Sequence, residues 1–455
     1  MRGSKEDTEE GLATLPSGAG EVDNDPTLAH DAVFGNITEK GPNYRNVGWL
    51  SSAALMMKSQ IGLGVLSIPS AFDALGIIPG IICLLTVAAL TSWSDYVIGM
   101  FKLRHREIWG IDDAAGLMFG KVGQEFLGAA FVLYTIFVAA SGILGISISL
   151  NAMSTHGACA AVFVAVSSIA VFACSSIRTL ANIIYIVTIA AAVQDRPSEA
   201  PQEGLWVSDY KLSNNPSFAD AISAICTFVF AYAGTPLFFP IAAEMRDPRQ
   251  YTKALVLCQS TVTATYIIIG IMVYYYCGSF VASPALGSAG PVIKKIAYGL
   301  ALPGLLAGAT INAHAASKYP FIRFLRGSRH LTANTFTHWA CWLGCTFTVS
   351  LSAYAIASGV PIFHALVSLV GALLGTLMCF QPMGCMWLYD NWSSGRSGGR
   401  SLGWTVQACV AVFVVVSGMF LTVAGTYGTV VGVIKAFKET KGAAAWSCAD
   451  NSNSV

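Results

Sequence analysis

From about residue 47 onward the chain alternates long apolar stretches with short polar loops. Stretches at 47–72, 76–101, 122–150, 157–174, 177–193, 218–243, 252–277, 292–317, 336–357, 361–388 and 402–424 have the length of membrane-crossing helices, which predicts eleven spans. The fifth is the shortest, at the lower limit of about 17 residues for spanning. Residues 1–46 are polar and interrupted by glycine and proline, with nine acidic against four basic side chains, so they read as a disordered tail. Residues 425–455 read as a second tail, which leaves 47–424 as the membrane domain. No basic segment followed by an apolar core opens the chain, so a cleaved signal peptide is not expected.

The loops carry their positive charge on one side. With the amino terminus inside, the inner loops hold Lys102, Arg104, Arg106, Lys121, Arg178, Arg246, Arg249, Lys253, Lys318, Arg323, Arg326, Arg329, Arg396 and Arg400. The opposite loops near 151–156, 279–290 and 358–360 hold none, and only 195–217 departs, with Arg196 and Lys211. The excess of positive charge predicts a cytoplasmic amino terminus and, with an odd number of spans, an outer carboxyl terminus. The sequons at 36–38 and 391–393 then face inward, where they would not be glycosylated.

Two spans contain residues that oppose an unbroken apolar helix. The first carries "KSQIGLGVLSIPS" at 58–70, and at about 1.5 Å per residue Lys58 lies roughly 16 Å and Gly62 roughly 22 Å from the inner surface. A lysine at that depth costs from about 3 to 10 kcal/mol or more unless it faces a cavity or a partner. The sixth carries "AYAGTP" at 231–236, again with glycine and proline at mid-span. Freed backbone groups survive at this depth only where protein or water satisfies them. Interruptions heading two sets of five spans point to an inverted-repeat transporter with its site at the midplane.

Composition agrees with this picture, since 54% of the 455 residues are hydrophobic and 11% are charged, against roughly a quarter charged in soluble domains. A net charge of +1, with no basic run among aromatics, gives no support to nucleic-acid binding. HExxH and paired deep carboxylates are absent, which argues against a membrane enzyme, and no filter-like repeat suggests a channel. Most of the twelve cysteines lie in apolar blocks without metal-ligand spacing, so neither a metal nor a cofactor is expected. Cys159 and Cys277, near outer helix ends, are the candidates for a disulfide.

"MMKSQIGLGVLSIPSAF" (56–72), "CSSIRTLA" (174–181), "VQDRPSEAP" (193–201), "EMRDP" (244–248), "ASPALGSAGPVIKKIAYGLALPGL" (282–305), "HAASKY" (314–319) and "RGSRHL" (326–331) together resemble the fungal neutral amino acid permeases of the amino acid/auxin permease family. The resemblance spans about 45–390. It implies an all-α membrane protein with a LeuT-like 5+5 inverted repeat plus one extra helix. It also implies symport of neutral L-amino acids with protons into the cell, across the plasma membrane. A vacuolar or sodium-coupled transporter, a transporter-like nutrient receptor and an inactive paralogue stand as alternatives, because the related permeases carry a longer fifth helix than 177–193.

An amino acid zwitterion needs donors for its carboxylate and acceptors for its ammonium. Amides around Ile61, Gly62, Leu63 and Gly64 suit the carboxylate, while carbonyls near Ser59 and from Ala231 to Gly234 suit the ammonium. Tyr134, Phe230 and Tyr232 are candidates to meet the substrate side chain, with core packing an equal reading for each. The acids Asp73, Asp95, Glu125, Asp220 and Glu244 fall near predicted span ends, which leaves Lys58 as the proton-coupling candidate. Matching its glycines to the first-helix break of sodium-coupled relatives puts Lys58 where they hold an ion, beside Thr310 and Asn312, with His314 a second proton carrier. Arg45, Glu244, Arg246 and Asp247 form either an inner gate or a helix-ending loop of solvated charges.

Overall fold

The structure, a computed structural model, describes residues 28–31, 35–38, 47–176, 197, 200–201, 207–325, 328, 330, 335–397, 401–439, 446 and 448. Residues 1–44 and 45–455 form separate units. In the first, strand β1 (Leu28–Asp31) pairs antiparallel with β2 (Gly35–Thr38), with Leu28 opposite Thr38.

The second unit is helical. Span one is two helices, α1 (Trp49–Gln60) and α2 (Leu63–Leu75), because Ile61 and Gly62 are extended and end the α1 ladder. Helix α3 (Ile77–Arg104) follows, then α4 (Ile111–Ser154), bent at Gly120 where φ is +67°. Helix α5 (Ala160–Ser176) is span four, and the fifth predicted span, 177–193, lies outside the described residues. Span six is again two helices. Helix α6 (Phe218–Tyr232) stops at Ala233, and a 3-10 turn at Thr235–Leu237, with Pro236 near its start where a missing N–H costs nothing, leads into α7 (Phe238–Ala243).

The remaining elements are α8 (Tyr251–Cys277), α9 (Pro291–Leu325), α10 (Phe336–Gly359), α11 (Phe363–Val370), α12 (Thr376–Cys379), α13 (Gln381–Ser397) and α14 (Leu402–Glu439). A π-helical turn at Gly371–Gly375 joins α11 to α12 within one span. Among the described residues eight helical stretches are long and apolar enough to cross a membrane, and the shorter Leu63–Leu75 and Ala160–Ser176 complete spans one and four.

Three helix boundaries and one disulfide differ from expectation. Helix α4 begins at Ile111 rather than 122, and α9 runs past 317, so Lys318 sits in a helix instead of a loop. Helix α14 runs on to Glu439, past the predicted span end at 424. Its glycines look like stop signals in sequence, but Gly425 packs against Cys226 and Ala372 and Gly428 against Ile222 and Ala219, which lets α14 lie directly on α6. Finally, Cys159 is bonded to Cys448 in the C-terminal segment, while Cys277 is buried and outside that disulfide. The same segment is held by Trp446, whose amide donates to the Ser358 carbonyl at 3.1 Å and whose ring meets Tyr354 with centroids 5.3 Å apart.

The two ends of the interrupted helices are treated differently. At one end Val47 pairs with Met245 as a parallel bridge, its amide donating to Glu244 O at 3.3 Å and its carbonyl accepting from Arg246 N at 2.9 Å. At the other end residues 207–216 pack against the end of α2 and the start of α3: Asn214 donates to Leu75 O at 3.0 Å and, through its side chain, to Asp73 O at 3.1 Å. Asp209 anchors this loop by accepting from the Ser279 amide at 2.8 Å and hydroxyl at 2.6 Å. Slight burial acts against ionisation of Asp209, but the Ser279 donors outweigh it and hold the carboxyl below its ordinary range.

Candidate substrate site between two interrupted helices

The breaks in spans one and six lie against each other. A Cβ on Gly64 would fall 2.5 Å from Ala231 Cα, and one on Gly234 would fall 2.7 Å from Ser59 Oγ, so only glycine permits both approaches. No side chain caps the start of α2, and the space beside Gly62, an exposed residue, is open. The first amides of α2 are therefore available, at the positive end of a helix dipole, for an anion.

The carbonyls of the break in span six are engaged. Tyr266 of α8 places its hydroxyl 2.9 Å from Gln60 O and 2.8 Å from Ala231 O, so one proton is shared between a carbonyl of each break. Gln60 Nε2 donates to Tyr232 O at 3.3 Å, and the Tyr134 hydroxyl donates to Ala233 O. Tyr232 O also accepts from Gly234 N at 2.8 Å and is filled, whereas the Ala231 and Ala233 carbonyls each keep a second lone pair that can receive an ammonium.

A cavity of about 290 Å³ reaches the breaks from the Val47 end, lined among others by Lys58, Ser59, Pro236, Glu244, His314 and Lys318. It has room for one amino acid and water. Lys318 stands over the Trp109 ring at 4.8 Å from its centroid, a cation–π contact that keeps a charge close to the cavity wall.

The expected residues separate into groups. Ile61 and Leu63 are half-buried beside Gly62, and Ser59 returns its hydroxyl to Met56 O at 2.8 Å. Phe230 is buried, and Tyr232 is turned to α8, its hydroxyl donating to Thr263 Oγ1 at 3.0 Å. Lys58 and His314 share the cavity, but Thr310 and Asn312 do not line it. Thr310 Oγ1 is buried without a partner among the described residues, whereas Asn312 donates to Gly308 O of its own helix at 3.0 Å. His314 Nδ1 lies 3.2 Å from Ser175 O and its ring meets Trp342 edge-on. Asp247 caps a turn, accepting from Arg249 N at 3.1 Å and Gln250 Nε2 at 3.0 Å, and Arg246 joins the bridge through its backbone. Arg45 lies outside the described residues.

Sequence reasoning missed Tyr266, Gln60, Trp109 and Lys318, and it set Asp95 aside. Nothing in the local pattern around Tyr266 distinguishes it from other apolar span residues, whereas Asp95 was detectable as a carboxylate within an apolar helix.

A sequence model described as transmembrane amino acid transporter protein matches residues 45–431. A transmembrane transporter of Gibberella moniliformis is 34% identical over 94% of this chain and 95% of its own. The N amino acid transport system protein of Neurospora crassa is 29% identical over 91% of this chain and 92% of its own. Among solved structures, MhsT in complex with L-phenylalanine superposes with a TM-score of 0.54 at 14% identity, covering 88% of this chain and 99% of that one, a likeness of LeuT-type fold alone. With two interrupted helices facing a cavity and a family match across the whole membrane unit, the chain belongs to the transmembrane amino acid transporter family.

Proposed function

We propose that this protein is a secondary active transporter that carries neutral L-amino acids into the cell in symport with protons, across the plasma membrane. The observation that carries the reading is Gly62, exposed beside open space at an uncapped helix start, with a cavity lined by Ser59 and Pro236 bordering both breaks. The amides of Gly62 to Gly64 hold the substrate carboxylate, and carbonyls from Ala231 to Gly234 receive its ammonium. An apolar side chain then meets Ile61, Leu63, Tyr134 and Phe230, which favours aliphatic and aromatic substrates. In this reading the cavity end is cytoplasmic, so the cavity opens inward, and 207–216, hydrogen-bonded to the ends of α2 and α3, closes the opposite side. Lys58 and His314, which face the cavity, are the first protonatable groups that a proton leaving to the cytoplasm meets.

Uptake of a radiolabelled amino acid panel by expressing cells at two external pH values tests the function. Neutral amino acids should accumulate faster at the lower pH, independently of sodium, whereas no stimulation by any of them favours a receptor. The orientation has its own test. In intact cells Cys448→Ser should leave Cys159 open to a membrane-impermeant maleimide, and labelling only after permeabilisation would reverse the assignment of sides.

A further inference from the structure

We propose that Asp95 is the residue that binds the transported proton, in a sealed pocket between α3, α8 and the break of span six. The proposal rests on the symport reading above. Asp95 is fully buried, at 0% exposure. Its Oδ2 accepts from Gln259 Nε2 at 2.6 Å, while Oδ1 is buried without a partner among the described residues. Gln259 Oε1 and the Thr235 hydroxyl oxygen are also buried and without a hydrogen-bond partner among the described residues. Tyr251 does not help, because its hydroxyl donates to the backbone carbonyl of Asp95 at 2.9 Å.

The titratable groups within electrostatic reach of Asp95 are Tyr251 and Cys258 of α8 and Cys379 of α12, none of them a cation. Among the described residues no lysine, arginine or histidine forms an ion pair with it. An ionised carboxylate would thus sit in the membrane interior with one hydrogen bond and no countercharge, an expensive state. A single proton on Oδ1 resolves the arrangement. It removes the charge and supplies one donor, which the unpartnered Gln259 Oε1, an acceptor only, lacks.

Binding takes one proton from water to form the O–H bond of the acid, and release returns it to water, with no other reactant. The exit is short, because Thr235 precedes Pro236, which lines the cavity. A shift of the span-six break that admits water past Pro236 hydrates Asp95, makes the carboxylate affordable and frees the proton toward the cavity. Lys58 and His314 already face the cavity and are not sealed from water in this way. Protonation of Asp95 is thereby tied to the same backbone segment that receives the substrate ammonium.

Asp95→Asn, which mimics the neutral acid, tests the assignment in proteoliposomes alongside wild type and Lys58→Met. One-proton coupling under a one-unit pH gradient sustains about tenfold accumulation. Wild type should reach that level, whereas D95N should equilibrate substrate to about onefold yet still exchange internal for external substrate. Infrared spectra should show a protonated-carboxyl stretch in wild type that is missing in D95N, a readout that does not require transport. Gradient-driven accumulation in D95N, or its loss in Lys58→Met alone, overturns the assignment to Asp95 while leaving symport intact. Accumulation driven by sodium at fixed pH, or none in wild type, overturns the symport reading itself and the proposal with it.

Discussion

Replacing Gly64 by alanine is expected to abolish uptake and lower the thermal stability of the purified protein. A Cβ there falls 2.5 Å from Ala231 Cα and 2.9 Å from Ala231 Cβ, well inside contact distance. The obstacle is backbone and a short side chain, so no flexible group can swing aside. Relief requires separating α2 from α6, and overpacking of this kind costs about 1–3 kcal/mol. The functional loss should exceed the loss of stability, because the displaced atoms are the amides and carbonyls assigned to the substrate. Thermal unfolding in detergent, read beside substrate uptake, separates the two. Normal uptake by Gly64→Ala would mean that the two breaks do not meet during transport.

Tyr266→Phe should produce the second largest effect. The Tyr266 hydroxyl is shared between Gln60 O and Ala231 O, so its loss withdraws a donor from both interrupted helices at once. A hydrogen bond between membrane helices averages only about 0.6 kcal/mol, whereas leaving a buried acceptor unsatisfied costs about 1–3 kcal/mol. The unsatisfied acceptors decide the sign, and a loss of transport rate of about tenfold corresponds to some 1.4 kcal/mol. The ring should keep its place, since Tyr232 packs edge-on against it with centroids 5.1 Å apart. Phenylalanine therefore tests the hydroxyl rather than the packing. Uptake kinetics and melting temperature would check it, and an unchanged rate would mean that the two breaks do not depend on this clasp.

The Gly/Pro pairs at 58–70 and 231–236 were enough to foresee the interrupted helices, because backbone propensity acts locally and both breaks sit in otherwise unbroken apolar runs. Helix ends were harder to foresee. Glycine normally signals a terminus, and only contact with α6 explains why Gly425 and Gly428 remain inside α14. The disulfide partner of Cys159 lies 289 residues away, beyond any local pattern. Lys318 reads as a basic residue after an apolar run, and its place over Trp109 depends on α9 continuing to Leu325.

By itself, then, the sequence determined that the chain is a polytopic helical membrane protein with two paired interruptions. Hydrophobic run length and missing backbone donors are properties of neighbouring residues. Tertiary structure alone decided who satisfies the freed backbone and which acid is buried. Tyr266 is an ordinary aromatic until α8 brings it against Gln60 O and Ala231 O. Asp95 looks like a residue near a span end until α3 runs on to Arg104 and Gln259 and Thr235 close around its carboxyl. Burial is a property of the assembled helices, and the cost of an isolated charge arises only once they exclude water.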